Sequence, residues 1–152
     1  MKIIEAKEQH MPEVRNLFRE YQQWLGVDLC FQGFEQELAD LPGCYAPLQG
    51  RIWLAQLEDD LVGCVAVRPK DAIEAELKRL YVRPAFHGKG FGKQLFLAAM
   101  NGARTIGYSS IVLDTLPSMH TAQTMYRGYG FFEIEPYYDN PQTGVQYYRY
   151  QF

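Results

Sequence analysis

The stretch Leu80-Tyr81-Val82-Arg83-Pro84-Ala85-Phe86-His87-Gly88-Lys89-Gly90-Phe91-Gly92-Lys93-Gln94-Leu95 constrains the fold more than any other. Its first residues are apolar, aromatic and β-branched, the composition of a strand end. Pro84 closes that strand because it supplies no ladder N–H. Glycines at 88, 90 and 92 follow, and then apolar residues at helical spacing. A glycine-rich turn from strand into helix frees consecutive backbone N–H groups at a helix N-terminus. With the helix dipole, such a turn holds a phosphate or pyrophosphate.

Spacing narrows which phosphate site this is. A P-loop counted back from Gly92-Lys93 puts His87 where its first glycine belongs, and Gln94 where its magnesium-binding hydroxyl belongs. A dinucleotide fingerprint from Gly88 requires glycine at 93, which is lysine, and no acidic residue closes a following strand at the right distance. Neither nucleotide loop fits.

A second stretch, Ala122-Gln123-Thr124-Met125-Tyr126-Arg127-Gly128-Tyr129-Gly130-Phe131, lies downstream. Together the two resemble the GNAT acetyltransferase superfamily. His87-Gly88-Lys89-Gly90-Phe91-Gly92 is similar to its acyl-CoA loop, Gln/Arg-x-x-Gly-x-Gly/Ala. The later stretch is similar to its Ala-x-x-Leu/Met-Tyr-x-x-x-Gly-Phe helix and turn. The resemblance covers residues 50–135 well and the ends by topology. It departs from the family pattern at His87, where Arg or Gln is usual, and at Met119, where many members carry Asn.

The rest of the chain reads as one domain, 1–152. Lys2 to Glu5 is a short strand, and Met11 to Leu25 is a helix with Val14, Leu17, Phe18, Tyr21, Trp24 and Leu25 on one face. A weaker helix runs from Phe31 to Leu41. Arg51–Leu57 and Leu61–Arg68 form a hairpin, and Ala72–Val82 is the next strand. The spacing predicts helix over Phe91–Ile106, strand over Ser110–Asp114 and helix from near Pro117 to Tyr129. Phe131–Glu133 and Val145–Tyr150 are the last two strands. The expected fold is α+β (α/β), in the order βααβββαβαββ, with a mixed sheet flanked by helices. The resemblance implies the same order, and a sheet that splays after the glycine-loop strand.

A formal net charge of −3 argues against nucleic acid as a partner. No signal-peptide core or run of eighteen apolar residues occurs, so no membrane partner and a cytoplasmic location are expected. Cys30, Cys44 and Cys64 lack metal-ligand spacing and read as reduced thiols.

The resemblance implies acetyl-CoA as cosubstrate, without a metal, bound by Leu80, Tyr81, Val82, His87, Gly88, Lys89, Gly90, Phe91, Gly92 and Lys93. Amine acetylation needs a neutral amine to attack the thioester and a proton for the departing thiolate. The resemblance makes Tyr126 that donor. Glu76 matches a strand glutamate that some members use as general base. Alternation predicts that Glu74 and Glu76 share a face continuing through Lys78 to Leu80 and Val82. A solvated Glu-x-Glu-x-Lys face is the alternative, as core packing is for Tyr126. Asp114 reads as a cap or orienter of the next turn, and His120 lies near the start of the Tyr126 helix. Tyr21, Trp24, Phe31 and Phe34 on one side, with Tyr137 and Tyr138 on the other, are candidates to line an acceptor pocket. With Glu74 and Glu76 as a negative floor, such a pocket favours a cation. The expected function is N-acetylation of a small-molecule or amino-acid-like primary amine by direct transfer in a ternary complex. A non-catalytic acyl-CoA-binding or regulatory domain, a peptide or protein N-acetyltransferase, and a homodimer stay open.

Overall fold

The computed structural model describes residues 1–29 and 33–152. The expectations placed on Cys30 and Phe31 lie outside them. Seven strands form one sheet: β1 (Lys2–Glu5), β2 (Arg51–Leu57), β3 (Asp60–Pro69), β4 (Glu74–Val82), β5 (Ser110–Thr115), β6 (Phe132–Ile134) and β7 (Gln146–Gln151). The helices are α1 (Met11–Leu25), α2 (Phe34–Asp40), α3 (Phe91–Ile106) and α4 (His120–Tyr129). The order of strands and helices is the one expected. Across the sheet the strands run β1-β2-β3-β4-β5-β7-β6. Every pairing is antiparallel except β4 with β5, which the α3 crossover makes parallel.

Apolar spacing sends the helices to opposite faces. Leu95, Phe96, Ala99, Met100 and Ala103 of α3 pack with Tyr126 of α4 on Val65, Val67, Leu77 and Leu113. Val14, Leu17 and Phe18 of α1, with Phe34 and Leu38 of α2, pack on Leu54, Cys64, Ala66 and Tyr81 from the other side. Each such Leu or Phe contributes about 1.5–3 kcal/mol relative to an exposed position. Gly102 is fixed by close approach: a Cβ there would stand 2.1 Å from the Trp53 ring. Among the described residues, no helix is long and apolar enough to cross a membrane.

Two irregularities in β4 shape the site. Ala66 pairs with Lys78 but Cys64 pairs with Tyr81, so Arg79 and Leu80 together stand opposite Val65. This bulge overturns the expected alternation. Beyond it, Tyr81 joins the α1 core and Val82 joins the α3 core, so the face of Glu74, Glu76 and Lys78 continues to Tyr81 and not to Val82. Arg79 sits at φ 60°, a left-handed conformation that costs a non-glycine residue about 1–3 kcal/mol. Glu37 on α2 holds its guanidinium with two hydrogen bonds at 3.0 Å. The Phe34 ring lies 5.1 Å beneath it. The second irregularity is a split. β4 and β5 pair only from Glu74↔Ser110 to Glu76↔Val112, although both strands continue.

Candidate active site

The turn after β4 leads into the glycine loop. Arg83 anchors it to α1, donating to Glu13 at 2.9 Å and Glu20 at 2.8 Å. Gly90 precedes α3 with φ 81°, where a side chain would be strained. Among the described residues no side chain caps this helix, so its first N–H groups are available to an anion.

These groups border a cleft of about 1130 Å³. Leu80, Tyr81, Val82, His87, Gly88, Gly90, Phe91, Gly92 and Lys93, nine of the ten residues expected at the cofactor, line it. Lys89 does not; its ammonium lies over the Phe86 ring, 5.8 Å from the centroid. Ser118, Met119 and His120, leading into α4, line it as well. Trp24 also lines this cleft, edge-on to the His87 ring at 5.8 Å.

The edge of β4 beside the cleft is partly taken. The Arg83 N–H donates to the Val62 carbonyl. By ladder alternation, the amide and carbonyl of Val82 therefore point away from β3, into the gap. His87 Nε2 meets that carbonyl at 2.7 Å, so it carries the proton and donates. His87 is thus held by the strand's own backbone.

A second, smaller cavity of about 110 Å³ lies at the open end of the β4–β5 split. Leu25, Leu80, Met119 and Ala122 border both spaces. Tyr126 lines only the small one. Its ring packs on Phe96 and Phe131, and among the described residues its hydroxyl makes no hydrogen bond. Burial, reinforced by Tyr21 and Asp114, raises that hydroxyl above the ordinary tyrosine range. Tyr126 therefore keeps its proton at neutral pH. Tyr21 lines the same cavity and is pushed up to about 12, mainly by burial.

The other expected acceptor residues are placed differently. Glu76 borders neither cavity. Its Oε1 accepts from Arg68 at 2.8 Å and its Oε2 from the Tyr137 hydroxyl at 2.7 Å. Glu74 is bound by Arg149 at 2.6 Å, Ser110 at 2.7 Å and Lys70 at 3.0 Å. Close cations neutralise both carboxylates, so they do not form the negative floor that was expected. Phe34 is core, under Arg79. Tyr137 and Tyr138 do cover this face, by donating to Glu76 and to Asp114.

Sequence reasoning underrated Lys78 and Asp114, which face the small cavity from opposite lips of the split. Lys78 Nζ stands 3.8 Å from Asp114 Oδ1 and 4.0 Å from Glu76 Oε2. Burial pulls Lys78 below the ordinary lysine range against these two carboxylates. The signal was present in the register: two residues past the last parallel pair on each strand, Lys78 and Asp114 come opposite one another. Among the described residues, no cluster of three or more His, Cys, Asp or Glu side chains could hold a metal ion.

Comparison with known proteins bears on this arrangement. The Acetyltransferase (GNAT) family pattern matches residues 11–131. A Schizosaccharomyces pombe protein named as an uncharacterized N-acetyltransferase is 40% identical, covering 93% of this chain and 88% of its own. An acetyltransferase structure from Streptococcus agalactiae superposes with a TM-score of 0.80 at 23% identity, over 99% of this chain and 98% of that one. An acetyltransferase from Salmonella typhimurium, solved with its cofactor acetyl-CoA, gives 0.75 at 16% identity, over 99% and 93%. With a glycine loop before α3, a split sheet and a full-length relative at this identity, the chain belongs to the GNAT acetyltransferase family.

Proposed function

We propose that this protein moves the acetyl group of acetyl-CoA directly to the amine of a small acceptor, in a ternary complex. The observation that carries the reading is the pair of spaces meeting at Leu80, with Tyr126 on the smaller one. The pyrophosphate would lie on the N–H groups before α3, with Lys93 adding positive charge. The pantetheine arm would follow the cleft edge of β4, as an added strand would. The thioester would then reach the split, where a neutral amine attacks its carbonyl carbon. As the C–S bond breaks, the thiolate takes the Tyr126 proton, and the acetylated nitrogen sheds its surplus proton, which returns Tyr126 to its neutral form. The acetyl-CoA in the Salmonella typhimurium structure supports the choice of cosubstrate.

Glu76 acts here by holding Tyr137 and Arg68. It is a positioning residue, since its carboxylate is spent on those partners and faces neither space. The test is thiol release from acetyl-CoA across a panel of primary amines, with calorimetry for acetyl-CoA alone. Amine-dependent release that Tyr126→Phe lowers is the expected result. Tight acetyl-CoA binding with no transfer to any amine would overturn the reading in favour of a non-catalytic acyl-CoA-binding domain.

A further inference from the structure

Resting on the acetyl-transfer reading, we propose that Tyr21 is a second catalytic hydroxyl, which donates a hydrogen bond to the thioester carbonyl oxygen and to the oxyanion formed there when the amine attacks. Tyr21 comes from α1, which packs on one face of the sheet against Leu54, Cys64 and Tyr81. Tyr126 comes from α4, packed on the other face with Val65, Val67 and Leu113. Both nevertheless line the one cavity of about 110 Å³. They reach it because β4 and β5 stop pairing at Glu76↔Val112, which leaves a gap that both faces border. Among the described residues neither hydroxyl makes a hydrogen bond. The charged groups on the same wall are engaged within the protein: Glu37 binds Arg79 at 3.0 Å, and Asp114 accepts from Tyr138 at 2.5 Å.

The position of Tyr21 is set by its neighbours. Glu20, the residue before it, accepts from Arg83 at 2.9 and 2.8 Å, which ties this turn of α1 to the end of β4. The Tyr21 ring rests against Tyr81, with centroids 6.0 Å apart. Acyl transfer develops negative charge at two atoms in turn, the carbonyl oxygen and then the sulfur. Two hydroxyls entering the split from opposite faces supply one donor for each. Tyr126 serves the sulfur, so Tyr21 falls to the oxygen. Burial pushes Tyr21 up to about 12, so it donates without giving up its proton. In so small a space few waters compete, and a fixed donor is worth more than in bulk water. In the transfer, the nitrogen pair forms the N–C bond while the carbonyl π pair moves to oxygen, where the Tyr21 hydroxyl meets it. That pair returns, the C–S bond breaks and the thiolate takes the Tyr126 proton. The acetylated nitrogen sheds its surplus proton, which restores Tyr126.

The experiment compares the full-length wild type with Tyr21→Phe. The variant keeps the ring against Tyr81 and removes a hydroxyl that holds nothing in the protein, so both should unfold at the same temperature. The first readout needs no acceptor: isotope-edited infrared spectra of acetyl-CoA labelled at the thioester carbonyl and bound to each protein. The carbonyl stretch should lie lower on wild type than on Tyr21→Phe, because a hydrogen bond weakens the C=O bond. The second readout is turnover with the primary amine that gives the fastest thiol release. There Tyr21→Phe should lower kcat by about 10²–10³-fold, with KM for acetyl-CoA and for the amine little changed. With an acetyl-CoA analogue whose carbonyl oxygen is replaced by sulfur, a poor acceptor, this difference between the two proteins should largely vanish. Equal carbonyl frequencies, an unchanged kcat, or a loss confined to KM for the amine would each overturn the proposal, the last by assigning Tyr21 to the acceptor. A frequency shift produced by Tyr126→Phe and not by Tyr21→Phe would overturn it too. No thiol release by wild type with any amine would overturn the transfer reading instead, and the carbonyl comparison, made without amine, separates the two failures.

Discussion

Replacing Glu76 by Gln separates a base from a positioning residue, because the two roles change different observables. The substitution keeps shape and leaves one carbonyl oxygen to accept from Arg68, but it removes the charge between Arg68, Tyr137 and Lys78. Removing one partner of a buried pair costs about 3–5 kcal/mol. Arg68 is 28% exposed and can recruit water, so a cost of about 1–3 kcal/mol is expected after that discount. At about 2–4 °C per kcal/mol for a chain of this size, the melting temperature should fall by about 2–12 °C. Turnover measured well below that temperature should change by less than about tenfold. A general base would give the opposite result, a loss of about 10²–10⁴ in rate with the melting curve little moved. Paired denaturation and initial-rate measurements, with rates taken across pH, decide the matter. A rate loss above a hundredfold at unchanged stability, steepest at low pH, refutes the positioning argument.

The remaining predictions rest on single features. Tyr126→Phe should keep acetyl-CoA affinity by calorimetry and lower kcat by roughly 10- to 1,000-fold, with KM little changed; wild-type turnover would return Tyr126 to a packing role. Gly90→Glu places a strained, negative residue before α3. Acetyl-CoA binding should disappear while unfolding stays cooperative, and intact binding would remove the pyrophosphate from this loop. Arg79→Gly should be more stable than Arg79→Ala by roughly 1–2 kcal/mol in urea, because only glycine is unstrained at this φ; equal midpoints would show that no strain is held there. For Glu74, burial pushes the carboxyl up, but hydrogen bonds from Arg149, Ser110 and Lys70 outweigh it and hold it at about 2, against an ordinary 4.5. A depressed carboxyl stabilises the fold above its unfolded value. That contribution, roughly 3 kcal/mol at 1.36 kcal/mol per unit, is lost as pH falls from about 4.5 to about 2. Arg149→Met should flatten this part of the stability–pH curve, and an unchanged acid limb would refute the assignment.

What local chemistry dictates could be read from the sequence; what distant partners dictate could not. Pro84 and the glycines at 88 and 90 announce the loop by themselves, and α3 fills the expected span from Phe91 to Ile106. The bulge is different. Arg79 and Leu80 are ordinary strand residues in sequence, and their departure from the ladder is enforced by Glu37, forty-two positions away. Nothing local marks Arg79 as left-handed. The same holds for Glu74 and Glu76. Two carboxylates alternating with apolar residues suit a solvated face or a base, and only Arg149 and Arg68 from other strands show them to be neutralised. Sequence alternation also carried Glu76 past the bulge toward the thioester, and one inserted residue breaks that link.

The bulge and the split are two consequences of one arrangement. If β4 kept its register with β3 to the end, Val82 would share the face of Lys78 and could not pack with α3 beneath the glycine loop. The extra residue turns Val82 toward Phe91 and Leu95, so the loop is seated on the α3 core. It also turns Tyr81 onto α1, where its ring meets Tyr21 and Trp24. Between them Leu80 is left on the wall common to both spaces. A β5 paired along the whole of β4 would close that wall with ladder hydrogen bonds. Pairing stops at Glu76↔Val112, and the lips beyond it carry Lys78 and Asp114. Desolvated charges of opposite sign resist collapse into an apolar seam, because burial without partners would cost several kcal/mol per ion. Tyr138 holds one lip and Glu37, through Arg79, steadies the other. The opening is therefore maintained by the same polar side chains that an acceptor would meet on entering it.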